Sequence, residues 1–117
     1  MPTILVIDDS MMVRQQVTRA LTSAGYTVVT ACDGADALDK LGATPDVVLA
    51  ICDVNMPRMS GLEFLEQVGS RLNVVMLTTE GQPELMARAK ALGARGWLMK
   101  PFKPELVIAT AKKLVAA

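Results

Sequence analysis

The feature that most constrains this chain is the run Val47-Val48-Leu49-Ala50-Ile51-Cys52, which leads without a break into Asp53 and ends at Met56-Pro57. A short continuous apolar run suits a strand buried on both faces, the situation of a central strand in a parallel sheet. Proline cannot donate to a ladder, so Pro57 marks where the strand is over. Asp53 then stands at the carboxyl end of a central strand, the edge at which open α/β sheets bind ligands. Alone, Asp53 could equally cap a turn; its surroundings have to decide.

The rest of the chain repeats the pattern. Thr3 to Ile7 is a second continuous apolar strand, followed at once by Asp8-Asp9-Ser10. A helix comes next, with Val13, Val17, Ala20, Leu21 and Ala24 on one face and Arg14, Gln15, Thr18 and Arg19 elsewhere. Gly25 closes it as a C-cap would. Tyr26 to Ala31 reads as a strand, Asp33-Gly34 as a turn, and Ala35 to Leu41 as a short helix with Ala37, Leu38 and Leu41 inward and Asp36 and Asp39 in solvent. Gly61 to Val68 is a third helix, with Leu62, Leu65 and Val68 inward, and Gly69 to Leu72 a loop. Asn73 to Leu77 is a strand ending in Thr78-Thr79-Glu80-Gly81, and Pro83 to Leu92 a helix. Gly96 to Met99 is a short strand ending in Lys100-Pro101-Phe102, and Pro104 to Val115 the last helix. With no repeat, linker or low-complexity tract, residues 1–117 are expected to form one domain.

Five strands alternating with five helices call for an α/β fold, a doubly wound (βα)5 parallel sheet covered on both faces by right-handed crossovers. Of the two common doubly wound orders, five strands fit 2-1-3-4-5. Strands one and three are then neighbours. Asp8, Asp9 and Asp53 converge at one sheet edge, with Thr78 and Lys100 flanking them.

Composition removes several function classes. Lys plus Arg balance Asp plus Glu, 12 against 12, so neither a basic stripe for nucleic acid nor an acidic tail stands out. No apolar run is long enough to span a bilayer, and Met1-Pro2-Thr3 leads straight into a strand. The expectation is a cytoplasmic, monomeric protein without a signal peptide. Cys32 and Cys52 are both expected to be buried free thiols. The chain has no histidine, which removes histidine bases, histidine metal ligands and a phosphohistidine carrier role. The eight methionines, among them Met56, Met59, Met76 and Met99, read as gap-fillers rather than as a cofactor box.

Three neighbouring carboxylates repel one another, and either raise each other's pKa or recruit a cation. An all-oxygen ligand set favours a hard divalent ion. Mg²⁺, with Mn²⁺ as a substitute, leaves room for a phosphoryl group. Asp53 could then attack phosphorus as a carboxylate nucleophile. Lys100 would supply positive charge and Thr78 a hydroxyl donor to the transferring group. Each residue has a plainer reading: Asp8, Asp9 or Ser10 caps the first helix, Thr78 closes a turn, Lys100 is a solvated end. Five such residues at the ends of four adjacent strands are much harder to dismiss.

Asp8-Asp9-Ser10, Asp53-Val54-Asn55-Met56-Pro57, Thr78 and Lys100-Pro101-Phe102 together resemble the receiver domains of bacterial two-component response regulators, of the stand-alone chemotaxis type, with their flavodoxin-like, CheY-like sheet. Thr78 lies 22 positions before Lys100, as in that family. The resemblance covers the whole chain and implies a phosphorylation-activated switch rather than a turnover enzyme, one that promotes its own Mg²⁺-dependent phosphorylation and dephosphorylation. Asp53 would accept the phosphoryl group from a sensor histidine kinase. Asp9, Asp53 and the Asn55 carbonyl would ligate Mg²⁺, with Asp8 acting mainly through water. Lys100 would contact the phosphoryl group, and its bond to Pro101 would be cis. Asn55 and Glu80 would flank the water that removes the phosphoryl group. Trp97 would turn inward on activation. An output protein or phosphatase would read the surface of the fourth helix, fifth strand and last helix, centred on Met86, Arg88, Lys90, Trp97 and Lys112.

The chain also departs from the family's pattern. Ser60 replaces a common aspartate, the third helix and its loop up to Asn73 look short, Asp46 lies further from Asp53 than usual, and Trp97 stands where tyrosine or another smaller residue is commoner. Haloacid-dehalogenase-type phosphatases need a second aspartate two positions after the first, where this chain has Asn55. A flavodoxin-type carrier needs a hydroxyl- and glycine-rich loop for phosphate, where this chain has two repelling acids. Receiver folds that serve only as phosphorylation-independent interaction modules usually lack an acid, the threonine or the lysine, and all are present here. A receiver cut from a larger response regulator would read the same way.

Overall fold

A computed structural model describes residues 2–54, 56, 59–78 and 83–115. The elements are β1 Thr3–Ile7, α1 Met11–Ser23, β2 Thr27–Ala31, α2 Gly34–Ala43, β3 Val47–Asp53, α3 Gly61–Val68, a 3₁₀ turn Gly69–Arg71, β4 Asn73–Thr78, α4 Pro83–Ala91, β5 Gly96–Met99 and α5 Pro104–Val115. The sheet is parallel throughout, in the expected order β2-β1-β3-β4-β5.

The continuous apolar strands are explained by two cores, one on each face of the sheet. Side chains alternate across a strand. Leu5, Ile7, Ala50, Cys52, Val74 and Met76 therefore point to one face, where Ala37 of α2, Phe64 and Leu65 of α3 and Ala89 of α4 meet them. Ile4, Val6, Leu49, Ile51, Val75 and Leu77 point to the other, against Val17 and Leu21 of α1 and Val107 and Ala111 of α5. Burying a side chain of this size stabilises by roughly 1.5–3 kcal/mol, so the central strands anchor the fold.

Helix starts are set by side-chain caps. Ser10 caps α1, its hydroxyl accepting from the Val13 N–H at 3.3 Å. Asp33, expected in a turn, is instead the buried N-cap of α2, accepting from the Asp36 N–H at 2.8 Å. Ser60 and Glu63 form a reciprocal capping box on α3. The aspartate commoner at position 60 is thus replaced by a residue that caps equally well.

Five expectations need correction. Helix α2 runs on to Ala43, and Tyr26 lies just outside β2, packed against the core. The segment after α3 holds a 3₁₀ turn rather than only loop. Asp36 is not simply solvated, since it accepts from the Cys32 N–H at 3.0 Å and lies 3.9 Å from Lys40 Nζ. Cys32 is exposed, because β2 ends at Ala31 and the next residue has left the core; Cys52 is buried, and both thiols are free.

Candidate functional site

The β1–β3 pairing sets Ile7 beside Cys52, so the residues that follow on each strand emerge together at the carboxyl edge. Each of Asp8, Asp9 and Asp53 brings one carboxylate oxygen within 4.8 Å of the others. Asp8 and Asp53 are buried and Asp9 is exposed. Lys100, one residue beyond β5, reaches across the sheet edge. Its Nζ lies 2.8 Å from Asp8 Oδ2 and 3.4 Å from Asp53 Oδ1. The Lys100 N–H donates to the Thr78 carbonyl at 2.6 Å, which ties the ends of β4 and β5 together. The Lys100–Pro101 peptide is cis. Asp8, Asp9, Asp53 and Lys100 thus form one cluster, with Thr78 at its rim. Asn55 and Glu80 lie outside the described residues.

Asp8 is held on every side. Its N–H extends the ladder to the Ala31 carbonyl at 3.1 Å. Its Oδ1 accepts from the Ser10 N–H at 2.9 Å and its Oδ2 from Lys100. Its carbonyl accepts from Arg14 Nη1 at 2.6 Å. Burial, and after it the Asp8 charge, push the Asp53 carboxyl above the usual aspartate range, and Lys100 offsets only part of this. Burial pulls the Lys100 ammonium down, but its bond to Asp8 and the charge of Asp53 outweigh that and hold it above its ordinary value. Burial, with Asp53 and Asp8 beside it, pushes the Cys52 thiol far up, so Cys52 is inert.

The cluster fits a hard divalent cation. All its ligand atoms are carboxylate oxygens. With three acids and one lysine in contact, it carries an excess of negative charge that a cation would relieve. Asp9, the exposed member, has the freest approach to solvent.

Sequence reasoning passed over two residues at this edge. Gly61 must be glycine, because a Cβ there would run into the carbonyl oxygen of Asp53 itself. The Gly61 N–H also donates to the Val54 carbonyl at 2.9 Å, so α3 starts directly under the strand end. Gly34 abuts Met59 in the same way, a Cβ there meeting Met59 Cγ at 2.6 Å, and its N–H donates to the Met59 carbonyl at 3.2 Å. These two contacts seat the β3–α3 connection; the only sequence signal for them was two glycines at helix starts.

The comparisons agree with this geometry. The family model for the response regulator receiver domain matches residues 4–112. The chain is 39% identical over 110 residues to the chemotaxis protein CheY of Treponema pallidum, covering 90% of this chain and 76% of that one. It superposes on Vibrio cholerae CheY4 with a TM-score of 0.91 at 43% identity, covering 97% of this chain and 98% of that one. It superposes on the CheX-CheY-BeF3-Mg complex of Borrelia burgdorferi with a TM-score of 0.90 at 26% identity, covering 97% of this chain and 89% of that one. The chain belongs to the response regulator receiver domain family. Receiver domains are signalling switches and not turnover enzymes.

Proposed function

We propose that this receiver domain accepts a phosphoryl group on Asp53 from a sensor histidine kinase and thereby changes which output partner it binds. The single observation that carries the reading is the cluster of Asp8, Asp9 and Asp53 bridged by Lys100. Asp9 and Asp53 would hold Mg²⁺, joined, as the family resemblance implies, by the Asn55 carbonyl. Asp8, whose oxygens already accept from the Ser10 N–H and from Lys100, would act through water. Bound Mg²⁺ supplies charge neutralisation for the nucleophile and the phosphoryl oxygens. An Asp53 carboxylate oxygen forms the new O–P bond as the P–N bond of the donor phosphohistidine breaks, and the imidazole leaves with the electron pair. Lys100 follows the phosphoryl charge, and Thr78 donates its hydroxyl to a phosphoryl oxygen.

Output follows from the far side of Thr78. Thr78, Trp97, Met76, Leu85 and Ala89 line a void of about 10 Å³ beneath α4. Such a space holds about one water, far less than an indole. Inward movement of Trp97 therefore requires Thr78 and α4 to give way together, so phosphorylation biases the packing of the whole α4–β5–α5 surface. That surface presents Arg88, Lys90 and Lys112 in solvent and Met86 and Trp97 half-buried, to an output protein or phosphatase. A chemotaxis pathway is favoured by the relatives' names.

Intact-mass measurement after incubation with acetyl phosphate tests the reading. Wild type should gain one phosphoryl group with Mg²⁺ and none with chelator, and Asp53→Asn none in either. An unmodified wild type, or equal modification of the variant, contradicts it.

A further inference from the structure

Asp8 and Asp9 sit on one side of the site, and the peptide between them is held from a direction the acid cluster does not explain. The guanidinium of Arg14, in α1, turns back over six residues and donates to the Asp8 carbonyl at 2.6 Å. The Arg14 N–H donates to the Ser10 carbonyl at 3.1 Å, and the Ser10 N–H donates to Asp8 Oδ1 at 2.9 Å. These three bonds form a closed ring: Asp8 carboxylate to Ser10, Ser10 to Arg14, Arg14 to the Asp8 carbonyl. A peptide unit is planar. A donor fixed on the Asp8 carbonyl therefore fixes the tilt of the whole Asp8–Asp9 peptide, and with it the direction in which the Asp9 side chain leaves the backbone. Asp9 is the exposed member of the cluster, so its own packing holds it least.

From this ring we infer that Arg14 is a positioning residue for the metal site: it aims Asp9 by clamping the Asp8–Asp9 peptide, and touches neither cation nor phosphoryl group. The inference rests on the reading of the cluster as a Mg²⁺ site. The plain electrostatic role of Arg14 has the opposite sign. A cation beside an acidic site repels Mg²⁺, so if charge alone mattered, removing Arg14 would tighten metal binding. If positioning matters, removing it loosens binding, because the part-buried carbonyl loses its donor and the peptide is free to tilt.

Calorimetric titration of Mg²⁺ into the full chain, without any phosphodonor, separates the two. Arg14→Ala should bind Mg²⁺ about tenfold more weakly than wild type, the lower end of what losing an outer-shell partner costs a metal site. The Mg²⁺ needed for half-maximal phosphorylation by acetyl phosphate should rise by the same factor, with the rate at saturating Mg²⁺ near that of wild type. Arg14→Lys, which keeps a long charged donor, should recover most of the affinity. If Arg14→Ala does not fold, Arg14→Gln is read in its place: weaker binding supports positioning, equal or tighter binding overturns it. Equal or tighter Mg²⁺ binding by Arg14→Ala overturns the inference, as does a variant impaired only in transfer from a kinase. Wild type that binds no Mg²⁺ would instead overturn the metal reading on which the inference rests.

Discussion

Helices α1 and α4 flank the same sheet edge, and they are built differently. Helix α1 seals Val17, Ala20 and Leu21 against the sheet, is capped by Ser10, and is tied by Arg14 to the loop that carries the acids. Helix α4 has Ala89 as its one buried residue among those described, with Leu85, and Leu92 just past its end, only partly covered. Local stability follows buried apolar contact and satisfied backbone groups. The half of the site that holds charge is thus fastened down, and the half proposed to face a partner rests lightly on the sheet. A switch needs that division: the chemistry requires fixed ligand positions, while the readout requires two packings of similar free energy.

The largest expected effect sets the two helices against each other in stability. Leu21→Ala removes a fully buried side chain from α1 and should destabilise by about 2–5 kcal/mol in urea unfolding. Leu85→Ala on α4 should cost less than half as much. Equal costs would break the contrast.

Gly61→Ala should come next, at about 1–3 kcal/mol, the usual cost of forcing extra volume into a packed place. The added methyl presses on the Asp53 carbonyl, so this variant should also slow phosphorylation. Gly96→Ala, on β5, meets nothing within 4 Å of its new Cβ and should change stability little. A Gly61→Ala protein as stable and as fast as wild type would show that the β3–α3 seat is looser than it looks.

A smaller effect depends on pH. Burial and the Asp8 charge raise the folded-state pKa of Asp53 above the ordinary 3.8. The native chain therefore binds that proton more tightly than the unfolded chain, and stability falls as pH rises from about 3.8 through the raised value. Asp53→Asn, which never ionises, should be more stable than wild type at neutral pH, with the difference vanishing below the ordinary aspartate range. Saturating Mg²⁺ should narrow it as well. A stability gap independent of pH would contradict the repulsion assigned to Asp8 and Asp53.

The smallest signal is optical. Trp97 is the chain's only tryptophan. A beryllofluoride mimic of the phosphoryl group should change its emission or quencher access, and Thr78→Ala should suppress the change while Asp53 is still phosphorylated by acetyl phosphate. An unaltered response in Thr78→Ala would uncouple Thr78 from Trp97.

Most of this arrangement was legible in the residues because its physics is local. Continuous apolar strands ending in Asp8 and Asp53, with glycine or proline at the element ends, define a parallel sheet and place the acids at its carboxyl edge. What escaped depends on geometry that periodicity does not encode. Arg14 reads only as lying off the apolar face of its helix, because its partner is a backbone carbonyl, which no residue pattern displays. Cys32 reads as buried because it directly follows an apolar strand, and the pattern does not show how sharply the chain leaves the core after Ala31. The Ser60–Glu63 capping box was readable from its spacing, but there the resemblance drew attention to a missing aspartate instead. The Gly61 contact depends on a backbone approach that only three dimensions reveal.

The division between a fixed and a yielding half is tested most directly by hydrogen exchange, followed by mass spectrometry, with and without beryllofluoride and Mg²⁺. Peptides from α4 and β5 should change protection on activation, while those from the core of α1, around Val17 to Leu21, should exchange as before. Unchanged exchange in α4 and β5, or a change in α1 as large as theirs, would contradict it.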